Sequence, residues 1–204
     1  MTQFFEYEGT FASFRQALKD SIVVFAAAVV VGIIACLIFA GLAMHFIHQS
    51  QTSTSVAVVE KVAQAGNPVF HFIALFINNL AACVLMLAIP YTIQRRWGKY
   101  IVFGSLISLG ILTGAVMLVV AGQHNVLFML SSLVPHGFFE LNAFFFCTSY
   151  SIMVMRQDNF YTPRPLRDLW TQAWKALMVR VIPLVLCAAL VETFITPVLM
   201  SLFA

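Results

Sequence analysis

The stretch Ser21 to Phe46 reads SIVVFAAAVVVGIIACLIFAGLAMHF and contains no Asp, Glu, Lys or Arg. About 20 consecutive apolar residues suffice for a helix to cross the hydrocarbon core of a bilayer, so this run alone reads as a transmembrane span. Four further runs of the same kind follow, at 69–93, 100–121, 135–155 and 181–203. The whole chain has the matching composition. Of its 204 residues, 61% are hydrophobic and 9% charged, and the mean hydropathy is +0.93. A soluble domain carries roughly 25% charged residues, and disorder needs low hydrophobicity with high net charge. The expectation is one all-α integral membrane domain over 1–204, a polytopic bundle of five transmembrane helices.

The fourth run needs a decision. The apolar block from Asn125 to Met155 is too long for one straight span, and Pro135 sits inside it. Proline suits the first turn of a helix and disrupts an interior. The reading places a helix break at Pro135 and Gly137. The span then starts at Pro135, and 126–133 forms a half-helix or re-entrant piece.

Basic residues set the orientation. Arg15, Lys19, Arg95, Arg96, Lys99, Arg156, Arg164, Arg167, Lys175 and Arg180 fall on one side of the five-span layout; of the 11 Lys and Arg, Lys61 alone falls on the other. Short basic loops stay in the cytoplasm. The expected topology in the cell membrane is N-terminus inside and C-terminus outside.

Two cytoplasmic segments have the pattern of interfacial helices. Phe11, Phe14 and Leu18 recur at helical spacing beside Arg15 and Lys19, with Thr10 as candidate N-cap. Pro165 can open a second helix with Leu166, Trp170, Trp174 and Leu177 on one face, and Arg167 and Lys175 supplying charge. Basic, aromatic, amphipathic stretches lie in the membrane interface; the alternative for Arg167, Trp170, Trp174 and Lys175 is a docking face for a cytoplasmic partner.

Polar residues within the spans carry the functional information, because a charged group at the bilayer centre costs roughly 2.5–3.5 kcal/mol even on insertion scales. Asn78 and Asn79 lie in the second span, His136 and Glu140 in the fourth, Glu192 in the fifth. His136 and Glu140 are four apart and share a helix face, continued by Ala143, Cys147 and Ser151. Glu192 has Ala188, Ala189 and Thr196 as helical neighbours, and Asn79 has Ala82 and Cys83. Small residues on these faces favour close helix contact, so the five polar residues are expected in one cluster or around one cavity. The readings open for that cluster are interhelical hydrogen bonding and an ion, proton or substrate site. A metal centre is not expected, since His-xxx-Glu lacks a third ligand nearby in sequence and differs from HExxH. The separated cysteines Cys36, Cys83, Cys147 and Cys187 form no disulfide or zinc pattern. Gly110 and Gly114 allow close approach of another helix, within the chain rather than between chains.

Three segments resemble one family. Val134-Pro135-His136-Gly137-Phe138-Phe139-Glu140-Leu141 is similar to the PHG-x-x-E-L signature of the stage II sporulation protein M family. The run Ala188 to Pro197 resembles its closing A-A-x-x-E-x-F-I-T-P motif, and Asn78-Asn79 its NN element. The resemblance implies a five-span bacterial or archaeal membrane protein. It implies either an anchor that gathers partner proteins, or a part in bacteriocin maturation, export or immunity alongside an ATPase or peptide-processing partner. With no soluble domain and no catalytic motif, the expectation is a non-enzymatic scaffold without cofactor. Its partners would be the lipid bilayer, membrane or cell-envelope proteins, and in one alternative further copies of itself, but no nucleic acid.

Overall fold

The computed structural model describes residues 8–38, 67–93, 95–123, 126–156 and 166–203. These are helical throughout apart from the short ends. The elements are α1 (Glu8–Ile38), α2 (Pro68–Thr92), α3 (Arg95–Gln123), α4 (Val126–Arg156), α5 (Leu166–Ala176), α6 (Ile182–Leu190) and α7 (Thr196–Ser201). Two π turns, Leu177–Val181 and Val191–Ile195, join α5, α6 and α7 into one rod. Five helices are long and apolar enough to cross a membrane. The part of the first expected span at 39–46, and Pro165, lie outside the described residues.

Local sequence explains the helix ends. Asn67 caps α2 by accepting a hydrogen bond from Val69 N–H at 3.0 Å, and Pro68 occupies the first turn, where no N–H is needed. The π turns answer to prolines. Pro183 and Pro197 follow them closely, and a proline ring in a regular helix collides with the carbonyl four residues back. Widening the preceding turn relieves the collision: Ile182 N–H donates to Leu177 O and Thr196 N–H to Val191 O, each five residues back.

Three expectations about boundaries are corrected. α4 runs without a break from Val126 through Pro135 and Gly137 to Arg156, so 126–133 is the first part of the span and not a separate half-helix. Serine hydroxyls satisfy carbonyls in the turns before the proline, Ser131 Oγ donating to Phe128 O and Ser132 Oγ to Met129 O, both at 2.8 Å. Thr10 lies inside α1, which carries the first amphipathic segment and the first span as one helix. The second amphipathic segment, α5, likewise continues through a π turn into the fifth span.

α4 is the hub. More than half of its central window is buried, against a third or less for the other spans, and it packs on every other rod. α1 pairs tightly with α3 through glycine. A Cβ on Gly110 would stand 2.6 Å from Ala28 Cβ, one on Gly114 would overlap Val29 O, and one on Gly32 would overlap Ile111 O. The GxxxG pair therefore serves intramolecular packing. Outward-facing Val23, Val30, Ile34, Leu37 and Leu85 are exposed. Water would penalise so much open apolar surface; lipid does not.

The dense core gathers at the end of the bundle that carries the α2–α3 turn. Phe14, Leu87, Tyr150, Met153, Val154, Leu177 and Val181 interlock there, beside Ala17, Ile89, Val102, Ile152 and Met155. Buried serines add interhelical hydrogen bonds: Ser149 Oγ to Ser21 Oγ at 3.5 Å, and Ser151 Oγ to Met86 O at 2.5 Å. Away from this plug α2 and α3 part.

Candidate functional site

α2 and α3 share a short turn yet touch little. Between them, with α4 behind, lies a cavity of about 1190 Å³. Its lining is mostly apolar, from Phe25 and Val29 on α1, Met86 on α2, Leu109 and Leu112 on α3 and Phe144 on α4. Asn78, Asn79, His136 and Glu140 line the same cavity. Asn79 is buried, and Asn78 Nδ2 donates to Asn79 Oδ1 at 3.3 Å.

His136, Glu140 and Glu192 meet. One ligand-type atom from each lies within 4.8 Å of the others. The α-helical i, i+4 relationship aligns the first two, and the π turn Val191–Ile195 presents the third. Small fully buried residues let the helices come this close: Ala143 and Cys147 on α4, Ala188 and Ala189 on α6. Thr196 Oγ1 lies 3.5 Å from His136 Nδ1, at the outer limit of a hydrogen bond. Thr193, on the same π turn, has a buried hydroxyl with no partner among the described residues. The third residue, which sequence spacing did not place beside His136 and Glu140, comes from the fifth rod.

The continuous α4 also relocates Glu140. A span starting at Pro135 would put it near one end; in the continuous helix it lies about 21 Å from the Val126 end and about 24 Å from the Arg156 end. It sits near the middle of its rod.

The structure gathers the five expected residues around one cavity, since Asn78, Asn79, His136 and Glu140 line it and Glu192 closes on the last two. Asn78 lines the cavity but remains exposed. Phe138 points outward, as the face pattern requires, and Phe145 packs edge-on against Phe25 at 5.2 Å. Cys83 and Cys147, distant in sequence, are buried side by side in the core where α2 meets α4. No sequence pattern announced this contact, or the roles of Ser105, Ser108 and Thr113 in the cavity wall.

The expected α5 face divides. Ala173, Ala176 and Leu177 turn into the bundle, while Trp170, Trp174 and Lys175 are exposed. Leu177 is therefore not on the tryptophan face. Trp170 meets Tyr91 edge-on at 5.2 Å, which ties α5 to the end of α2. The side chain of Arg167 lies outside the described residues. Farther along, the Arg180 guanidinium lies 5.3 Å from the Phe146 ring centroid, a cation–π distance.

A family model described as SpoIIM, stage II sporulation protein M, matches residues 21–197. No curated protein and no solved structure matched the chain.

Proposed function

The chain belongs to the stage II sporulation protein M family, and on that premise we propose that this multi-pass membrane protein is a non-enzymatic anchor that recruits partner proteins within the cell membrane. The observation that carries the reading is the cavity between α2 and α3. Two neighbouring helices that part around about 1190 Å³ of mainly apolar space leave room for several side chains of a guest segment. A guest helix with apolar side chains and one polar group would match the lining, since Asn78, Asn79 and Glu140 offer hydrogen bonds where the rest offers only packing. The exposed Trp174 and Lys175 on α5 give a second contact face at the basic end. The asymmetry of Lys and Arg puts that end, and the N-terminus, in the cytoplasm.

Photo-cross-linking in living cells tests the reading. A photoreactive residue at Ser108, in the cavity wall, is expected to give a discrete adduct with a membrane protein identifiable by mass spectrometry. The same residue at Val30, exposed on the outer face of α1, is expected to label lipid alone. Lipid labelling at both positions would remove the recruiting role.

A second reading has its own observation. Asn79, His136 and Glu140 at the cavity edge suit a polar cargo crossing the membrane, as in a component of an export, maturation or immunity system working with an ATPase or peptide-processing partner. Glu140→Gln distinguishes the two. An anchor keeps its function with the amide, and a transport component loses it.

A further inference from the structure

We infer that His136, Glu140 and Glu192 form a binding site for a divalent first-row transition metal, zinc foremost. The site adjoins the cavity of the proposed recruiting role, sharing His136 and Glu140 with its wall, and metal binding is tested separately from recruitment.

Four observations on the molecule converge. First, the donor set is one imidazole nitrogen and two carboxylates, a mixed N/O set that suits zinc and its neighbours better than magnesium or calcium. Second, the spacing is close to that needed. Tetrahedral zinc with bonds of about 2.0–2.2 Å holds its ligand atoms about 3.3 Å apart. The three atoms lie within 4.8 Å of one another, so side-chain rotations of small amplitude close the shell. Third, the charges balance. Two carboxylates at membrane depth are costly, and neither has an ion-pair partner among the described residues. On the same rod the preceding basic residue, Arg180, is about 18 Å from Glu192 along the helix and stacks on Phe146. A divalent cation with two carboxylates and a neutral imidazole sums to zero. Fourth, the surroundings hold the ligands in place. The π turn that presents Glu192 is a local departure of the kind that recurs at functional sites. Thr196 Oγ1 stands 3.5 Å from His136 Nδ1, positioned to accept its N–H and leave Nε2 for the metal, the usual arrangement around a ligating histidine.

Three protein ligands leave one zinc position open. His136 and Glu140 line the cavity and Glu192 does not, so the open position faces the cavity and takes water or the polar end of a guest.

The test uses the full chain purified in detergent, stripped with EDTA and titrated with Zn²⁺. Metal content, thermal unfolding and the visible spectrum after Co²⁺ addition are recorded. Expected are one zinc per chain, a higher unfolding temperature with Zn²⁺, no such shift with Mg²⁺, and the absorption of four-coordinate Co²⁺. Glu192→Gln and His136→Gln should weaken Zn²⁺ binding more than about 100-fold, and Thr196→Val about tenfold. Val30→Ala, on the outer face of α1, should leave it unchanged. Circular dichroism and size-exclusion profiles establish that each variant is folded; should Glu192→Gln misfold, Glu140→Gln takes its place. Folded wild type that takes up no zinc, triad variants that bind as tightly as wild type, or Mg²⁺ acting as well as Zn²⁺ would each overturn the site.

Discussion

His136 on α4 and Thr196 at the start of α7 come within 3.5 Å, Nδ1 to Oγ1, although 60 residues separate them in the chain. This contact joins the hub helix to the fifth rod at the level where Glu140 and Glu192 meet. Membrane hydrogen bonds of this type average only ~0.6 kcal/mol and reach ~1.7 kcal/mol at most. Thr196→Val should therefore lower stability by about that small amount, with Thr196→Ser close to wild type. Unfolding of the purified protein in mixed micelles measures both; a loss several times larger for Val would mean that Thr196 supports more than one bond.

Glu192 separates structure from activity. Replacement by Gln keeps the shape and a hydrogen-bonding head, whereas Leu offers neither donor nor acceptor to His136 and Glu140. Under the anchoring role, stability of the metal-free protein should rank wild type and Glu192→Gln together with Glu192→Leu lower, and recruitment should follow the same order. Recruitment lost in Glu192→Gln at unchanged stability would contradict that role.

The α1–α3 seam should be the least forgiving part of the fold. A side chain at Gly114 would run into the Val29 carbonyl, and backbone cannot step aside as a side-chain tip can. Gly114→Val is expected to cost about 1–3 kcal/mol or more. Gly104→Ala, with nothing within 4 Å of its would-be Cβ, should be near neutral. Equal expression and unfolding behaviour of the two variants would place α1 elsewhere.

Cys83 and Cys147 provide a direct check on how α2 sits against α4. Both are buried in the same core cluster and adjoin each other, while Cys36 and Cys187 lie on other helices. Iodine, which partitions into membranes, should oxidise the pair to one intramolecular disulfide. Peptide mapping should find Cys83 linked to Cys147. A map dominated by intermolecular or Cys36 links would count against the packing.

Topology is testable in a cysteine-free background. A single cysteine appended after Ala204 should react with a membrane-impermeant maleimide added to intact cells. One at Trp97, exposed at the start of α3, should react after lysis and not before. Labelling of Trp97→Cys in intact cells would reverse the orientation.

What the amino-acid order determined by itself is the number and type of elements and the identity of the polar residues that matter. Length and hydropathy suffice for that, because a bilayer demands long apolar helices whatever their neighbours. Ser21 to Ile38 and the spans around Asn79, Leu112, Glu140 and Val185 are legible for this reason. So is the shared face of His136 and Glu140, which a single helix imposes. Tertiary structure decided the rest. Pro135 reads as a break because a lone helix pays for its missing hydrogen bond; within the bundle, α4 continues through it. The two turns before Pro183 and Pro197 widen into π turns to relieve the ring–carbonyl collision, and only the packing of the rods carries Glu192 to His136 and Glu140. A third ligand from a separate span has no signature in sequence spacing, since helix periodicity relates residues on one rod and is silent about which rods touch. The cavity likewise follows from where α2 and α3 part, a property of packing between helices rather than of any residue run.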